Sequence, residues 1–300
     1  MVPPSSSPPD SENLGIIVFL RYPLPGQVKT RLAKTVGDAR ACEIYRACAE
    51  GVLKAVCRFA AGGRGAKLYV FFSVAEEAGE VEDWVRSSVS SVSSVPKLEI
   101  SFRPQKQTAC LGARMADAFS YVERRGHGRI CILGTDVPDL GDDRVLVAIL
   151  DAAVPLPLGD GGDFFPPPTA VFGPSVDGGF YCLLMDGLDG SFFDAHGDVF
   201  DGIAWSTETV LEETSKAMAR VGVRVVQEGW ARLRDLDEWE DCVAWRETVS
   251  ESGGGRRRFD GDDTVGGRRP VGEHPNARLV EVIGDVLGVI GAAERVERVE

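Results

Sequence analysis

The first half of the chain alternates short apolar runs with stretches in which apolar residues recur at helical spacing. The runs at residues 16–20, 67–72, 98–102 and 129–133 are short and contain β-branched or aromatic residues, as buried strands do. The segments between them carry apolar residues three or four positions apart, so we interpret them as helices. Strands that alternate with helices predict an α/β fold, with a mostly parallel sheet and helices on both faces.

The pattern changes in the second half of the chain. Residues 154–168 are rich in proline and glycine and form a loop longer than most connections. Two apolar runs at 169–173 and 179–185 are separated by five turn-forming residues, which predicts a small β-hairpin excursion. After it we expect a helix capped by Ser206 or Thr207, a strand at residues 223–226, and a helix that begins after Asp237.

Composition divides the chain into four segments. Residues 1–13 are rich in proline and serine and are predicted to be a disordered tail. Residues 14–250 are predicted to form one α/β domain, and residues 251–275, poor in apolar side chains and rich in glycine, are predicted to be a flexible linker. Residues 276–300 carry one apolar stripe and predict an amphipathic helix that packs on this domain or on a partner.

Charge and cysteine content narrow the function. The formal net charge of −13 argues against general binding of nucleic acid, which needs a basic surface. The seven cysteines include no C-x-x-C pair and lie mostly in apolar patterns, so we expect buried thiols and a cytoplasmic protein. No apolar run approaches the roughly 20 residues that span a bilayer, and the first residues do not resemble a secretion signal. A homo-oligomer stays an open alternative.

A cationic loop follows the first predicted strand. Two prolines and a glycine interrupt regular structure there, and Arg21, Lys29 and Arg31 surround the start of the next helix. A helix start beyond the carboxyl end of a strand favours anions, and the three cations add charged donors, which predicts a phosphate site. The loop matches neither a Walker sequence nor a dinucleotide fingerprint. The alternative is a loop whose cations are merely solvated.

Aspartates supply the candidate metal ligands. Asp136 directly follows the strand at 129–133, at the sheet edge where ligands bind in open α/β folds. Mg²⁺ commonly uses one or two carboxylates together with phosphate oxygens, so Asp136 facing the cationic loop predicts Mg²⁺ or Mn²⁺. Asp235 and Asp237 precede a helix, and one of them is expected to cap it while the other joins Asp136. The alternative is that Asp136 is a turn residue.

Two further sequences are weaker candidates. Asp177, Gly178 and Gly179 offer one carboxylate and bare backbone where a ligand could approach, although a plain tight turn explains them equally well. Trp205, Ser206 and Thr207 fit a helix cap. The three histidines lie apart without ligand spacing, and no serine-hydrolase or zinc-protease motif is present.

Taken together, six ordered motifs resemble those of a known family, the GT-A-like glycosyltransferases associated with arsenosugar biosynthesis, formerly a domain of unknown function. The resemblance spans about residues 14–245 and is carried by FLRYPLPGQVKTRL, LGARMADAF, ILGTDVPDL, GPSVDGGFYCLLM, IAWSTETVL and RDLDEWED. It implies the GT-A or nucleotide-diphospho-sugar transferase fold, with a Rossmann-like sheet. At greater distance the chain is similar to nucleotidyltransferases.

The resemblance also implies roles for residues. Asp136 and Asp237 would be the metal carboxylates, and the acceptor or sugar side would be lined by Asp177, Gly178, Gly179, Trp205, Ser206 and Thr207. The nucleotide phosphates would meet Arg21, Pro25, Gly26, Lys29, Thr30 and Arg31. The sequence departs from its relatives at Cys110, where aspartate is common, and at Glu238-Trp239, where relatives have Thr-Pro.

The resulting hypothesis is a metal-dependent transferase with a nucleotide-sugar donor and a small-molecule acceptor. Lys29 would neutralise the leaving diphosphate, and Asp177 would orient the acceptor or act as a base. The first alternative is a nucleotidyltransferase that releases pyrophosphate. The second is a catalytically silent nucleotide-binding or scaffold protein.

Overall fold

The structure is a computed structural model that describes residues 13–62, 65–92, 98–151, 167–226, 230–252 and 276–297. The strands are β1 (Leu14–Leu20), β2 (Lys67–Phe72), β3 (Ile100–Pro104), β4 (Arg129–Leu133), β5 (Thr169–Pro174), β6 (Phe180–Asp186) and β7 (Arg224–Val226). The helices are α1 (Thr30–Val36), α2 (Asp38–Ala61), α3 (Ala78–Val89), α4 (Leu111–Glu123), α5 (Asp143–Leu150), α6 (Phe192–Ala195), α7 (Val210–Arg220), α8 (Trp239–Ser252) and α9 (Ala277–Glu297). Short 3₁₀ turns lie at Ala75–Glu77 and Pro138–Gly141.

The strands form one sheet in the order β3-β2-β1-β4-β6-β5-β7. The pairs from β3 to β4 are parallel, and β6 alone among these strands runs in the opposite direction, between β4 and β5. The predicted mostly parallel α/β sheet is therefore confirmed. The predicted hairpin is also present as β5 and β6, and it belongs to the main sheet.

Apolar side chains cover both faces of the sheet. On one face the core includes α2, α3 and α5, and on the other it includes α4, α6 and α7. Ile16, Ile17 and Val18 in β1 have no exposed surface, because a central strand covered on both faces buries alternate side chains equally. Continuous apolar runs were thus a sound signal for the central strands.

Three element boundaries differ from the sequence prediction. The helix expected after the cationic loop is two helices, α1 and α2, divided at Gly37, which has a φ of 83° that glycine adopts without strain. The strand expected at 98–102 begins two residues later, as β3. Neither Ser206 nor Thr207 caps α7: Thr209 occupies that position, and the Thr207 hydroxyl donates to the carbonyl of Ala204.

The C-terminal helix α9 packs against α2 and α8. Leu279, Ile283 and Val286 on its apolar stripe are buried together with Ile44 of α2 and Trp245 of α8. Asn276, just before the helix, donates from Nδ2 to the carbonyl of Pro138 over 2.6 Å. The helix is thereby joined to the loop that follows β4.

Several predicted segments lie outside the described residues. These are residues 1–12 of the predicted tail, 154–166 of the predicted long loop, and 253–275 of the predicted linker. Within the ranges given above, none of the helices has the length and apolar character needed to span a bilayer.

Truncating a buried side chain of α9 tests its packing. We expect Ile283→Ala to lower the free energy of unfolding by about 2–5 kcal/mol, because it leaves a cavity in a fully buried position. Val289→Ala is the matched control: Val289 is 47% exposed on the same helix, and its truncation should change stability by less than about 0.5 kcal/mol. Urea unfolding measures both, and equal effects would show that α9 does not pack on α2 and α8 in solution.

Candidate functional site

A cavity of about 490 Å³ lies beyond the carboxyl ends of β1 and β4. Its lining includes Arg21, Lys29 and Arg31 from the cationic loop and α1, Asp136 after β4, and Asp237 before α8. Strand β1 lies between β2 on one side and β4 on the other, so the strand order reverses direction here. Open α/β sheets bind ligands at such a topological switch point. The structure therefore brings the cationic loop and both carboxylates that were predicted to bind a metal to one place.

The Lys29 ammonium lies between the two carboxylates. Its Nζ donates to Asp136 Oδ2 over 3.0 Å and to Asp237 Oδ1 over 2.7 Å, and its side chain is only 9% exposed. The backbone of Lys29 has a φ of 48°, in the left-handed region, and its carbonyl accepts the first hydrogen bond of α1 from Ala33. A non-glycine residue in that conformation costs about 1–2 kcal/mol, which the surrounding contacts must offset.

The charges fix each other's protonation states. Burial by itself would favour a neutral Lys29, but Asp136 and Asp237 together raise the pKa of Lys29 above its usual value. Burial would likewise raise the pKa of Asp136, and the charge and hydrogen bond of Lys29 hold that pKa below its usual value instead. At neutral pH Lys29 is thus an ammonium ion and Asp136 is a carboxylate.

Helix α8 positions Asp237. The backbone N–H groups of Asp237 and Glu238 donate to Asp241 Oδ2, and the N–H of Leu236 donates to the carbonyl of Asp136 over 3.0 Å. The Arg31 guanidinium also donates to Asp237 Oδ2. Neither predicted aspartate accepts these backbone bonds at the start of α8, because Asp241, in the first turn, does so; the sequence analysis missed this residue.

Asp235 adds further negative charge. The pKa of Asp235 is raised to about 6, mainly by burial and to a smaller extent by the charges of Asp136, Asp237 and Asp177. The acids are therefore not fully compensated by Lys29 and Arg31. Among the described residues, no group of three or more His, Cys, Asp and Glu side chains could hold a metal ion. Asp136 and Asp237 could offer two carboxylates to an ion that takes further ligands from a substrate.

Tyr45 of α2 fixes the start of the cationic loop, and the sequence analysis missed it. Its buried hydroxyl accepts from the N–H of Arg21 over 2.9 Å, donates to the carbonyl of Arg21, and lies 3.3 Å from Thr135 Oγ1. The Arg21 guanidinium donates to the carbonyl of Gln27 over 2.8 Å, so part of its donor capacity is used within the loop. In the sequence Tyr45 fits the apolar face of a helix, so nothing there indicated that its hydroxyl bonds the backbone of Arg21.

The other predicted phosphate ligands divide into two groups. Thr30 lines the cavity with Lys29 and Arg31. Pro25 and Gly26 are exposed and do not line it, and the φ of 78° at Gly26 explains why glycine occurs at that turn. Their contribution here is the shape of the loop.

The predicted acceptor residues lie beside the cavity rather than in its lining. Asp177 Oδ1 accepts from the N–H of Gly179 and from the Ser175 hydroxyl, which is the tight turn considered as the alternative. Gly178 has a φ of 91°, and a Cβ there would meet the carbonyl oxygen of Glu208 at 2.2 Å. The close approach explains the glycine, and the effect of Asp177 on Asp235 links this turn to the acid cluster.

Trp205, Ser206 and Thr207 form a turn that packs on the same loop. The Trp205 ring lies 6.4 Å from the ring of Phe180, which does line the cavity. Ser206 has a φ of 67°, and Thr207 is bonded within the turn to Ala204. Trp205 therefore contacts the wall of the cavity through Phe180, and Ser206 and Thr207 belong to the turn that carries it.

Replacing Lys29 tests the ion-pair arrangement. We expect Lys29→Met to lower the free energy of unfolding at pH 7 by about 1–3 kcal/mol, because two partly buried carboxylates lose their shared cation. Lys34→Met, at an exposed position of helix α1 just after Lys29, is the control and should stay within about 0.5 kcal/mol of the wild type. Chemical denaturation measures both; an unchanged Lys29→Met protein would contradict the arrangement.

Comparison with solved structures finds the same fold. The chain is similar to a proposed nucleotide-diphospho-sugar transferase from Desulfovibrio desulfuricans G20, with a TM-score of 0.60, 22% identity, and coverage of 91% of this chain and 96% of that one. Two other structures have lower TM-scores. A homologue of Mycobacterium tuberculosis rv0371c from Mycobacterium sp. strain JC1 has a TM-score of 0.42, 15% identity and coverage of 80% and 98%. The 4-diphosphocytidyl-2C-methyl-D-erythritol synthase from Anaerococcus prevotii DSM 20548 has a TM-score of 0.45, 10% identity and coverage of 82% and 100%.

Sequence comparison is more limited. No curated protein matches the chain. Residues 64–207 match a family described as "Uncharacterized protein conserved in bacteria (DUF2064)". The chain therefore has the α/β fold of the nucleotide-diphospho-sugar transferases, and its segment 64–207 matches the DUF2064 family.

Proposed function

We propose that this protein is a metal-dependent transferase that takes a nucleotide-sugar donor and transfers the sugar to a small-molecule acceptor. The observation that carries the proposal is the position of the Lys29 ammonium, within hydrogen-bonding distance of Asp136 and Asp237 at the switch point of the sheet. The name of the structural relative from Desulfovibrio agrees with this class of donor. The association with arsenosugar biosynthesis stays a prediction from the resemblance.

The residues present fit a Mg²⁺ or Mn²⁺ ion that bridges protein and substrate. The candidate ligands are carboxylate oxygens, which these hard cations prefer, and the raised pKa of Asp235 indicates that the cluster contains uncompensated negative charge. Asp136 and Asp237 would hold the ion, with phosphate oxygens of the donor completing its coordination. When bound, the ion would supply charge neutralisation to the diphosphate leaving group.

The cationic side chains would bind the donor's diphosphate. The carboxylates of Asp136 and Asp237 keep the Lys29 side chain protonated. The Arg31 side chain is 61% exposed, and its guanidinium contacts Asp237. As the bond between the sugar and the diphosphate breaks, negative charge grows on the leaving oxygen. Donors already fixed beside that oxygen stabilise the charge without reorganisation, which lowers the barrier.

Asp177 is our proposal for the residue that orients the acceptor. Its Oδ1 is held by the Gly179 N–H and the Ser175 hydroxyl, which fixes the side chain. Its charge acts on Asp235 and therefore lies close to the acid cluster. A carboxylate fixed in that position could accept the proton of an acceptor hydroxyl.

Neutralising Asp136 tests the metal site. We expect Asp136→Asn to reduce Mn²⁺-dependent nucleotide binding at least about tenfold, because the amide cannot replace a carboxylate ligand. Asp186→Asn is the control: Asp186 ends β6 at the opposite end of the sheet, and its loss should leave binding unchanged. Isothermal titration with and without Mn²⁺ measures the difference. Equal binding by Asp136→Asn and wild type would place the metal elsewhere.

The released product tests the class of transfer. Incubated with a nucleotide sugar and an acceptor, the protein should release nucleoside diphosphate, because the sugar passes to the acceptor and the diphosphate is the leaving group. Release of pyrophosphate from a nucleoside triphosphate would instead establish nucleotidyl transfer. Phosphorus NMR of the reaction mixture distinguishes the two products, and the Asp136→Asn protein serves as the blank.

A further inference from the structure

The cavity has a second end that the phosphate and metal chemistry does not use. It extends from Lys29 across the top of β1 to the ends of β2 and β3, where Ser73 and Gln105 lie, and to Arg114 in the first turn of α4. Ser73 and Gln105 are neighbours, because the N–H of Gln105 donates to the carbonyl of Phe72, the residue before Ser73. An inference about this end rests on the proposed function, which puts the donor's phosphates at the Lys29 end.

Gln105 is a rigid part of this subsite. It is 6% exposed, its backbone N–H donates to the carbonyl of Phe72, and its side-chain Nε2 donates to the carbonyl of Phe71 over 3.2 Å. These bonds direct Oε1 towards Arg114, whose Nη1 donates to it over 3.2 Å. Gln105 therefore holds the guanidinium in place.

One nitrogen of the Arg114 guanidinium has no acceptor among the described residues. Nη2 donates to the carbonyl of Ala109, but the buried Nε has no acceptor among the described residues. None of the ion pairs formed between described residues involves Arg114. A buried donor on a cation is costly to leave unpaired, so this atom indicates a ligand that brings an acceptor.

Ser73 provides the second unused group. Its hydroxyl oxygen is buried and has no hydrogen-bond partner in the described part of the chain. The Gln107 amide donates to the backbone carbonyls of both Ser73 and Gln105, so these two residues lie side by side. The apolar side chains of Phe19, Leu111 and Met115 line the space beside them. A slot with apolar walls and a few fixed polar groups suits a planar ring.

We propose that this subsite selects a nucleobase with an exocyclic carbonyl, a 6-oxopurine or a 4-oxopyrimidine, over the corresponding amino base. The carbonyl oxygen would accept from Arg114 Nε, and its second lone pair could accept from the Ser73 hydroxyl. An adenine or cytosine would direct an amino group, itself a donor, at the guanidinium and leave Nε unpaired. A site built to pair a polar group discriminates strongly against an analogue that lacks it.

Two pairs of nucleotides that differ by oxo for amino at one ring carbon, and by the accompanying ring proton, test this selection. Binding of IDP against ADP and of UDP against CDP is measured by isothermal titration on the full chain with Mn²⁺, and inorganic pyrophosphate reports on the phosphate end alone. We expect at least one oxo nucleotide to bind about tenfold or more tightly than its amino partner. The pair that shows the difference distinguishes a purine from a pyrimidine site.

Variants assign the selection to residues. Arg114→Met should reduce the oxo-to-amino ratio to within about threefold while leaving pyrophosphate binding unchanged, and Ser73→Ala should lower the ratio less. Arg124→Met, in the exposed turn that ends α4, is the control and should keep the wild-type ratio. Thermal melting curves check that each variant is folded. If Arg114→Met does not fold, the smaller substitution Ser73→Ala still tests the selection.

Four results would overturn the inference. Amino nucleotides could bind as tightly as oxo nucleotides, or the preference could survive both Arg114→Met and Ser73→Ala. Arg114→Met could weaken pyrophosphate as much as nucleotides, which would make Arg114 a phosphate ligand. Pyrophosphate could bind while none of the nucleotides gains affinity from its base. If neither pyrophosphate nor any nucleotide binds, the proposed function fails as well, which is a distinguishable outcome.

Discussion

The ion pairs of Lys29 are the constraint on which the site depends. They join a residue of the N-terminal loop to partners 107 and 208 positions further along the chain, so three distant segments meet at one ammonium group. Because the Lys29 side chain is almost entirely buried, separating it from either carboxylate would leave a charge with little water to solvate it. The same groups that hold these segments together are thus the groups that a diphosphate would contact.

That arrangement is held under strain and with unbalanced charge. Lys29 adopts a left-handed backbone conformation, and burial together with the charges of nearby carboxylates raises the pKa of Asp235. Both features cost stability, and such costs are found where a site is organised in advance for a ligand. A bound cation would compensate the charge of the carboxylates, and a bound diphosphate would contact Lys29 and Arg31, so both ligands would be stabilised here.

The sequence predicted the fold better than the site. Central strands such as β1 are continuous apolar runs because both of their faces are buried, and Asp136 was recognisable because it directly follows β4. Tyr45, Asp241 and Arg114 gave no such signal, since each lies in a helix pattern that packing alone explains. Their roles depend on which segments meet in three dimensions, and local spacing does not encode that.

Helix α9 extends the argument from the site to the rest of the fold. It buries its apolar stripe against α2, which carries Tyr45, and against α8, which follows Asp237. Asn276 at its start bonds the carbonyl of Pro138, two residues after Asp136. One C-terminal element therefore contacts the supports of the cationic loop and of both carboxylates. Because a misplacement of about 1 Å can greatly reduce catalysis, packing this far from the cavity has consequences for the chemistry inside it.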